Sequence, residues 1–270
     1  MNLASYIEEI IKFLRDYLKD SHCDTYLLGV SGGVDSSLVA ALIKEAVGKE
    51  HLHCLIIPIE SSQEDVKDAI TLVKDLDLRY DIIDATETFS SFVKEFKKNG
   101  YEMDRSTLGN LKARMRMSIL YAFAQKERGL VVGTDNADER YVGYYTKYGD
   151  GACDLLPIAH LVKGEVVEAA KLLGVRTSLA ERVPTAGLFE GQTDEREMGV
   201  LYKDLDAYVL GKKVKKEAEQ QVLKAKAEAE SLKLQRQVIT PELLKLKTIE
   251  KWNGQLPTYN GGELPFIMVK

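Results

Sequence analysis

The chain has 270 residues, 45% of them hydrophobic, enough to bury one large core but not to build two independent enzymes. Its 37 Lys and Arg against 42 Asp and Glu leave a formal charge of −5, which argues against a broad nucleic-acid-binding surface and leaves room for a local anion site. No apolar run approaches the roughly 20 residues of a membrane span, the amino-terminal segment has no signal-peptide pattern, and Cys23, Cys54 and Cys153 fit neither a disulfide framework nor zinc spacing. A soluble, cytoplasmic protein with reduced thiols and no membrane partner is expected.

Ile7, Ile10, Ile11, Leu14 and Leu18 recur on one helical face and predict a helix over Leu3 to Lys19. Tyr26 to Val30 reads as a short buried strand, Ser31 to Asp35 as a glycine turn, and Ser36 to Val47 as a helix. The alternation repeats with a strand over Leu52 to Ile59, a helix over Ser62 to Leu76 capped by Ser62, and a strand over Tyr80 to Ile83. A long helix over Thr107 to Arg128 leads into a strand over Leu130 to Gly133. Strands alternating with helices imply an α/β fold, a doubly wound and mainly parallel sheet with helices on both faces. Thr134 to Asp154 then turns to Gly, Tyr, Asp and Thr without periodicity, a long connection of the kind compact domains keep for function. Glu165 to Leu173 is a further helix ending at Gly174, and Pro184 to Thr193 a second glycine-containing loop. Lys212 to Gln237 favours helix, while the tail after Trp252 reads as irregular. The expected organisation is a main domain over residues 1–211, with residues 212–270 a helix and tail of the same compact unit.

The sharpest local signal is Ser31-Gly32-Gly33-Val34-Asp35-Ser36-Ser37 between a predicted strand and a predicted helix. Paired glycines allow a tight turn that brings successive N–H groups to one anion, and the following helix adds its positive dipole end. The Lys-Ser/Thr pair of a P-loop is missing, so Ser31, Ser36 and Ser37 are the hydroxyls available to phosphate. Asp35 would repel a phosphate unless a divalent cation lay between them, which predicts Mg2+. The plainer reading is a strand-to-helix turn in which Ser36 caps its helix.

This loop resembles that of the ATP-pyrophosphatases, whose adenine nucleotide hydrolase-like fold cleaves ATP between its α and β phosphates. Three further stretches resemble the ammonia-dependent NAD synthetases within that superfamily: Gly109 to Met117, Gly133 to Glu139 running on to Tyr145 through Gly151, and Pro184 to Leu188 with Glu190 to Glu195. With the loop they span roughly Ser31 to Tyr208, about two thirds of the chain, in the family's order. The resemblance implies a ligase that adenylates the nicotinate carboxylate of deamido-NAD with ATP, releases pyrophosphate, and then amidates it with ammonia to give NAD and AMP; the alternatives are another ATP-pyrophosphatase that adenylates a different carboxylate or an RNA base, and a nucleotide-binding module without turnover. No room remains for an amidase domain, so free ammonia or an external amidase is implied, together with a homodimer in which Lys112 to Tyr121 is a candidate interface helix.

Carried over position by position, the resemblance places Ser31, Gly32, Gly33, Val34, Asp35, Ser36, Ser37, Thr134, Lys163 and Thr185 on ATP, and Asp35 and Glu139 on magnesium. It places Arg114, Lys147 and Asp154 on deamido-NAD. The family's His-Lys-Arg run has Leu234-Gln235-Arg236 as its counterpart, with a proline only at Pro241, which leaves Arg236 as a substrate contact. Physical readings stand beside these assignments. Arg114 and Arg116 occupy a helix face separate from Leu108, Leu111, Met115 and Ile119 and can reach an anion or simply face water. Glu139 on its own reads equally as part of a solvated acidic turn. Lys163 opens a helix, where it opposes the dipole, a placement that favours a role in following charge onto departing pyrophosphate. Ammonium must lose a proton, for which Asp150 and Asp154 are the candidates. Tyr141, Tyr144, Tyr145 and Tyr148 can stack on a ring or pack on the scaffold.

Overall fold

A computed structural model of the chain describes residues 2–185 and 192–238. Residues 186–191 of the second glycine loop, Pro241 and the tail after Trp252 lie outside the described residues, as do the side chains of Leu234, Gln235 and Arg236. Two compact units meet in sequence at Lys212 and Lys213. The first carries the sheet and every site residue discussed below except Arg236. In the second, the described part is the continuation of one long helix, α10 (Tyr202–Val238).

Four strands, β1 (Thr25–Gly29), β2 (Leu52–Ile56), β3 (Arg79–Ile82) and β4 (Gly129–Val132), pair in parallel in the order β3-β2-β1-β4. Leu28 aligns with Cys54 on one side and Val132 on the other, and a single parallel bridge from Val132 to Leu155 extends the β4 edge. Each strand falls within a residue or a few of its predicted span, and the predicted doubly wound α/β arrangement is the one observed. Alternate residues of β1 face opposite layers. Tyr26 and Leu28 join the core under α1 (Leu3–Asp20), α2 (Val34–Val47), α3 (Gln63–Asp75) and α7 (Lys163–Leu172), whereas Leu27 packs with Val131 against Ala124 of α5 (Arg105–Glu127). The first core pulls in Ile7, Ile10, Leu14 and Leu18, the apolar stripe read from the sequence. Burial on that scale is what stabilises a parallel sheet, whose two faces must both be covered.

Three features depart from the sequence reading. The stretch between the third strand and α5 holds a helix, α4 (Thr86–Lys98), anchored by buried Phe89. The connection from Thr134 to Asp154 is not wholly irregular, because α6 (Ala137–Val142) forms within it. Its signal was present in the Asn136-x-x-Glu139 spacing: Asn136 accepts from the N–H groups of Asp138 and Glu139 while Glu139 returns to the Asn136 N–H. Finally, α2 begins at Val34 rather than Ser36, which brings Asp35 into its first turn. Two short helices, α8 (Thr177–Ala180) and α9 (Asp194–Met198), complete the first unit ahead of α10.

Candidate active site

The chain runs from β1 to β2 on one side of the sheet and returns to β4 on the other, so β1 and β4 diverge at a topological switch point where open α/β sheets bind ligands. A cleft of about 400 Å³ opens there. Its floor is the carboxyl ends of β1, β2 and β4, and its walls are the glycine turn, one face of α5, and the segment from Thr134 to Asp150.

The turn after β1 is held by its own neighbours. Gly32 has φ +83°, and a Cβ there would lie 2.9 Å from the Ala69 nitrogen and from the Asp65 carbonyl oxygen of α3, so both the conformation and the close approach require glycine. Gly33 occupies the N-cap of α2 with no side chain to cap it, and the Ser36 and Ser37 hydroxyls donate back to its carbonyl at 3.1 and 2.8 Å. Ser31 Oγ lies 3.2 Å from Ser36 Oγ and accepts from the Gly33 N–H. The first turn of α2 therefore presents backbone N–H groups uncapped by its own N-cap side chain, at the positive end of a 14-residue helix.

Facing the turn is a concentrated charge cluster. Lys163, the first residue of α7, is buried, with its Nζ 2.6 Å from Asp35 Oδ2, 3.7 Å from Glu139 Oε1 and 4.8 Å from the centre of the Tyr202 ring. Burial alone would weaken its hold on a proton, but the carboxylates of Asp35 and Glu139 outweigh it and the lysine stays charged well above its ordinary range. Asn136 donates its side-chain amide to Asp35 Oδ1 at 2.9 Å, so the residue that caps α6 also orients the aspartate of α2. Glu139 is pushed up to about 8 by burial and then by the Asp35 carboxylate, and Asp135 up to about 7 by burial and then by Asp150. Burial also raises Asp150, whose carboxylate accepts from the Thr146 N–H. At about 7 and about 8, Asp135 and Glu139 are partly protonated near neutral pH, and a further cation in the cleft would favour their charged forms.

Magnesium commonly binds through one or two carboxylates and completes its sphere with phosphates and water. Asp35 and Glu139 fit that mode: both are hard oxygen donors, both face one cation in the cleft, and among the described residues no group of three or more His, Cys, Asp or Glu is placed to cage a metal unaided. Cys54 and Cys153 have thiols pushed up to about 12 and about 11 by burial, which suits packing rather than nucleophilic attack.

Of the residues singled out in sequence, Ser31, Gly33, Val34, Asp35, Ser36, Thr134, Glu139, Asp150, Lys163 and Thr185 line the cleft. Gly32 and Ser37 stand just behind the lining, where they shape the turn. Arg114, Lys147 and Asp154 are outside it. Arg114 donates from Nε to the Lys147 carbonyl at 3.1 Å, and Asp154 accepts from the Val131 N–H at 2.7 Å and from the Tyr121 hydroxyl at 3.2 Å. Arg236 lies on α10 with its side chain outside the described residues. Several lining residues escaped the sequence reading as site residues, among them Asp135, Gln192, Asp194 and Arg182. Arg182, which pairs with Asp65 and Asp68 of α3, had no local motif to mark it, since its partners are more than a hundred residues away. Arg116 does line the cleft, donating to the Ile57 carbonyl and the Ser61 hydroxyl.

Fold and cleft together define an α/β protein whose charged cleft opens outside the carboxyl end of its first strand, where open parallel sheets receive ligands. Comparison with known proteins narrows the class. The sequence model of NAD synthase matches residues 6–247, and the chain belongs to that family. It is 44% identical over 230 residues to an NH(3)-dependent NAD(+) synthetase of Mycoplasma genitalium, covering 84% of this chain and 92% of the relative. It is 42% identical over 211 residues to the protein of that name from Mesoplasma florum, covering 78% and 86%. Among solved structures, an NMN synthetase from Francisella tularensis superposes with TM-score 0.73 at 35% identity, over 78% of this chain and 87% of that one. An NH3-dependent NAD synthetase from Campylobacter jejuni, in complex with the nitrate ion, superposes with TM-score 0.65 at 28% identity over 97% and 100%.

Proposed function

We propose that this enzyme activates the nicotinate carboxylate of deamido-NAD by adenylation with ATP, releasing pyrophosphate, and then amidates the mixed anhydride with ammonia to form NAD and AMP. The observation that carries the reading is the juxtaposition of the glycine turn with the Asp35–Lys163–Glu139 cluster. A free carboxylate resists amidation because its leaving group would be oxide, whereas the adenylate offers AMP. Transfer of this kind asks the protein mainly for position and charge. The N–H groups of the turn receive the β and γ phosphates, with Ser31 and Ser36 at its edge. Lys163, fixed beside Asp35, offers its ammonium to the charge that builds on the departing pyrophosphate. Thr134 and Thr185, on the cleft lining, take the remainder of the nucleotide. Magnesium, held by Asp35 and Glu139, would supply charge neutralisation between those carboxylates and the phosphates. Asp150, raised by burial, is the group proposed to take the proton from ammonium.

Arg114 and Lys147, joined to each other outside the cleft, are proposed with Asp154 and Arg236 as the dinucleotide contacts of a homodimer whose partner completes that subsite. The F. tularensis relative, named for a mononucleotide product, supports a second reading in which the mononucleotide is the amidated substrate. Incubating the protein with ATP, Mg2+, ammonium and either the deamido-dinucleotide or the deamido-mononucleotide decides between them. Formation of NAD, AMP and pyrophosphate with the dinucleotide, and pyrophosphate–ATP exchange that depends on it, is expected. Turnover confined to the mononucleotide would replace the first reading with the second, and no exchange with either would remove both.

A further inference from the structure

The amino-terminal end of α7 is built in an unusual way for a helix that opens on a functional lysine. Val162 at its N-cap has no side-chain oxygen, so the first N–H groups must find acceptors elsewhere. The Lys163 N–H donates to Asp138 Oδ2 at 2.6 Å and the Gly164 N–H to Asp206 Oδ2 at 2.9 Å, while the Val162 N–H goes to Glu165. Asp138 comes from α6 and Asp206 from the first turns of α10, 25 and 42 residues away in sequence. The second oxygens, Asp138 Oδ1 and Asp206 Oδ1, are buried away from other polar groups among the described residues, and the two carboxyls interact with each other, which adds to the effect of burial on Asp138. A helix end exposed to water would avoid that cost. Gly164 keeps the approach open, because a Cβ there would fall 2.7 Å from Asp206 Oδ2.

The elements that supply these two carboxylates also surround the lysine's ammonium. In α6, Asp138 holds the Lys163 backbone while its neighbour Glu139 faces Lys163 Nζ. In α10, Asp206 holds Gly164 while Tyr202, one turn earlier, lies beneath Nζ and directs its hydroxyl to Glu139 at 3.3 Å. A lysine has four rotatable bonds, and anchoring both its backbone and its tip removes most of that freedom before any ligand arrives.

We infer that Asp138 and Asp206 are positioning residues for Lys163: by holding the first two N–H groups of α7, they set where its ammonium stands between Asp35 and Glu139. The inference rests on the proposed role of Lys163 for its meaning in catalysis, but not for its geometric content.

The test compares Asp206→Ala, Asp206→Asn and Gly164→Ala with the parent protein. Asparagine keeps an oxygen for the Gly164 N–H, alanine removes it, and Gly164→Ala displaces the carboxylate without deleting it. Trace labelling with an amine-reactive reagent, read by mass spectrometry at each lysine, reports the exposure of Lys163 without any substrate. Labelling of Lys163 should rise about threefold or more in Asp206→Ala and Gly164→Ala and remain at the parent level in Asp206→Asn, with buried Lys112 unchanged throughout. In pyrophosphate–ATP exchange, kcat should fall about tenfold in the two alanine variants while KM for ATP moves less than about twofold, and asparagine should restore kcat. Unchanged labelling of Lys163, or a parallel rise at Lys112 that reports general loosening, overturns the inference. A parent protein without exchange activity would sink the functional reading and leave the labelling result to decide the positioning on its own.

Discussion

Across the cleft, the glycine turn holds itself with bonds between residues two to five positions apart, whereas the facing wall joins Asp35, Asn136, Glu139 and Lys163 over separations of up to 128 residues. The first wall is rigid because its backbone is tied locally and pressed against α3. The second depends on buried charges that compensate one another, so any single loss leaves an unpaired partner inside. The turn should therefore respond to substitution mainly through shape and stability, and the charged wall through chemistry as well as stability.

The largest expected effect is on the charged wall. Lys163→Ala should reduce kcat for pyrophosphate release by about 10²–10³-fold, with ATP binding affected much less. An equal loss in binding and turnover, measured by titration and steady-state kinetics, would make Lys163 a simple binding residue. On the turn, Gly32→Ala places a side chain at positive φ against the α3 backbone and should cost about 1–3 kcal/mol of stability, read by denaturant unfolding. A fully stable variant would show that the turn can relax, contrary to its crowded surroundings. Asn136→Ala touches both walls, since it removes a cap worth about 1 kcal/mol and frees Asp35. It should lower both stability and turnover, and a loss confined to stability would uncouple the two.

The smallest effect is electrostatic. Burial and then Asp150 raise Asp135 from its ordinary 3.8 to about 7. In that window the folded state holds a proton that the unfolded state has released, so the contribution is complete below about pH 4 and is lost as pH rises through about 7. In nucleotide-free protein, the melting temperature should therefore fall by a few degrees between pH 5 and pH 8, and Asp135→Asn should flatten that slope. Identical slopes in the two proteins would show that Asp135 is not the group responsible.

Where the sequence was legible, the physics was local. The strands announced themselves as short apolar runs between turn residues, and the phosphate turn by Gly32-Gly33 next to three hydroxyls, because all of its internal bonds lie within seven residues. The Ser62 cap of α3 was likewise visible, and Ser62 does accept from the Asp65 N–H. α4 went unread although Phe89, Val93 and Phe96 stand at helical spacing, because no cap or glycine marked its start. Asp35 was legible from the turn itself, whereas the metal role of Glu139 and the nucleotide role of Lys163 were reached through a family resemblance, with the dipole-opposing placement of Lys163 as its one local sign. Their meeting depends on the order of the sheet, which carries the end of β1 beside α6 and α7. Gln192 and Asp194 fell within a stretch that resembles the family but had no role carried over to them, Arg182 had no local pattern at all, and only the folded chain places the three on the cleft.

The central claim is that the turn after β1 receives the departing pyrophosphate, with a divalent ion between Asp35 and Glu139. A crystal structure with Mg2+ and a non-hydrolysable ATP analogue tests it directly. The account predicts the β and γ phosphates against the N–H groups from Ser31 to Ser36, with one metal ion touching both carboxylates and Lys163 turned toward the phosphates. A nucleotide bound elsewhere in the cleft, or phosphates at the turn with Asp35 still closed on Lys163 and no ion beside it, would contradict it.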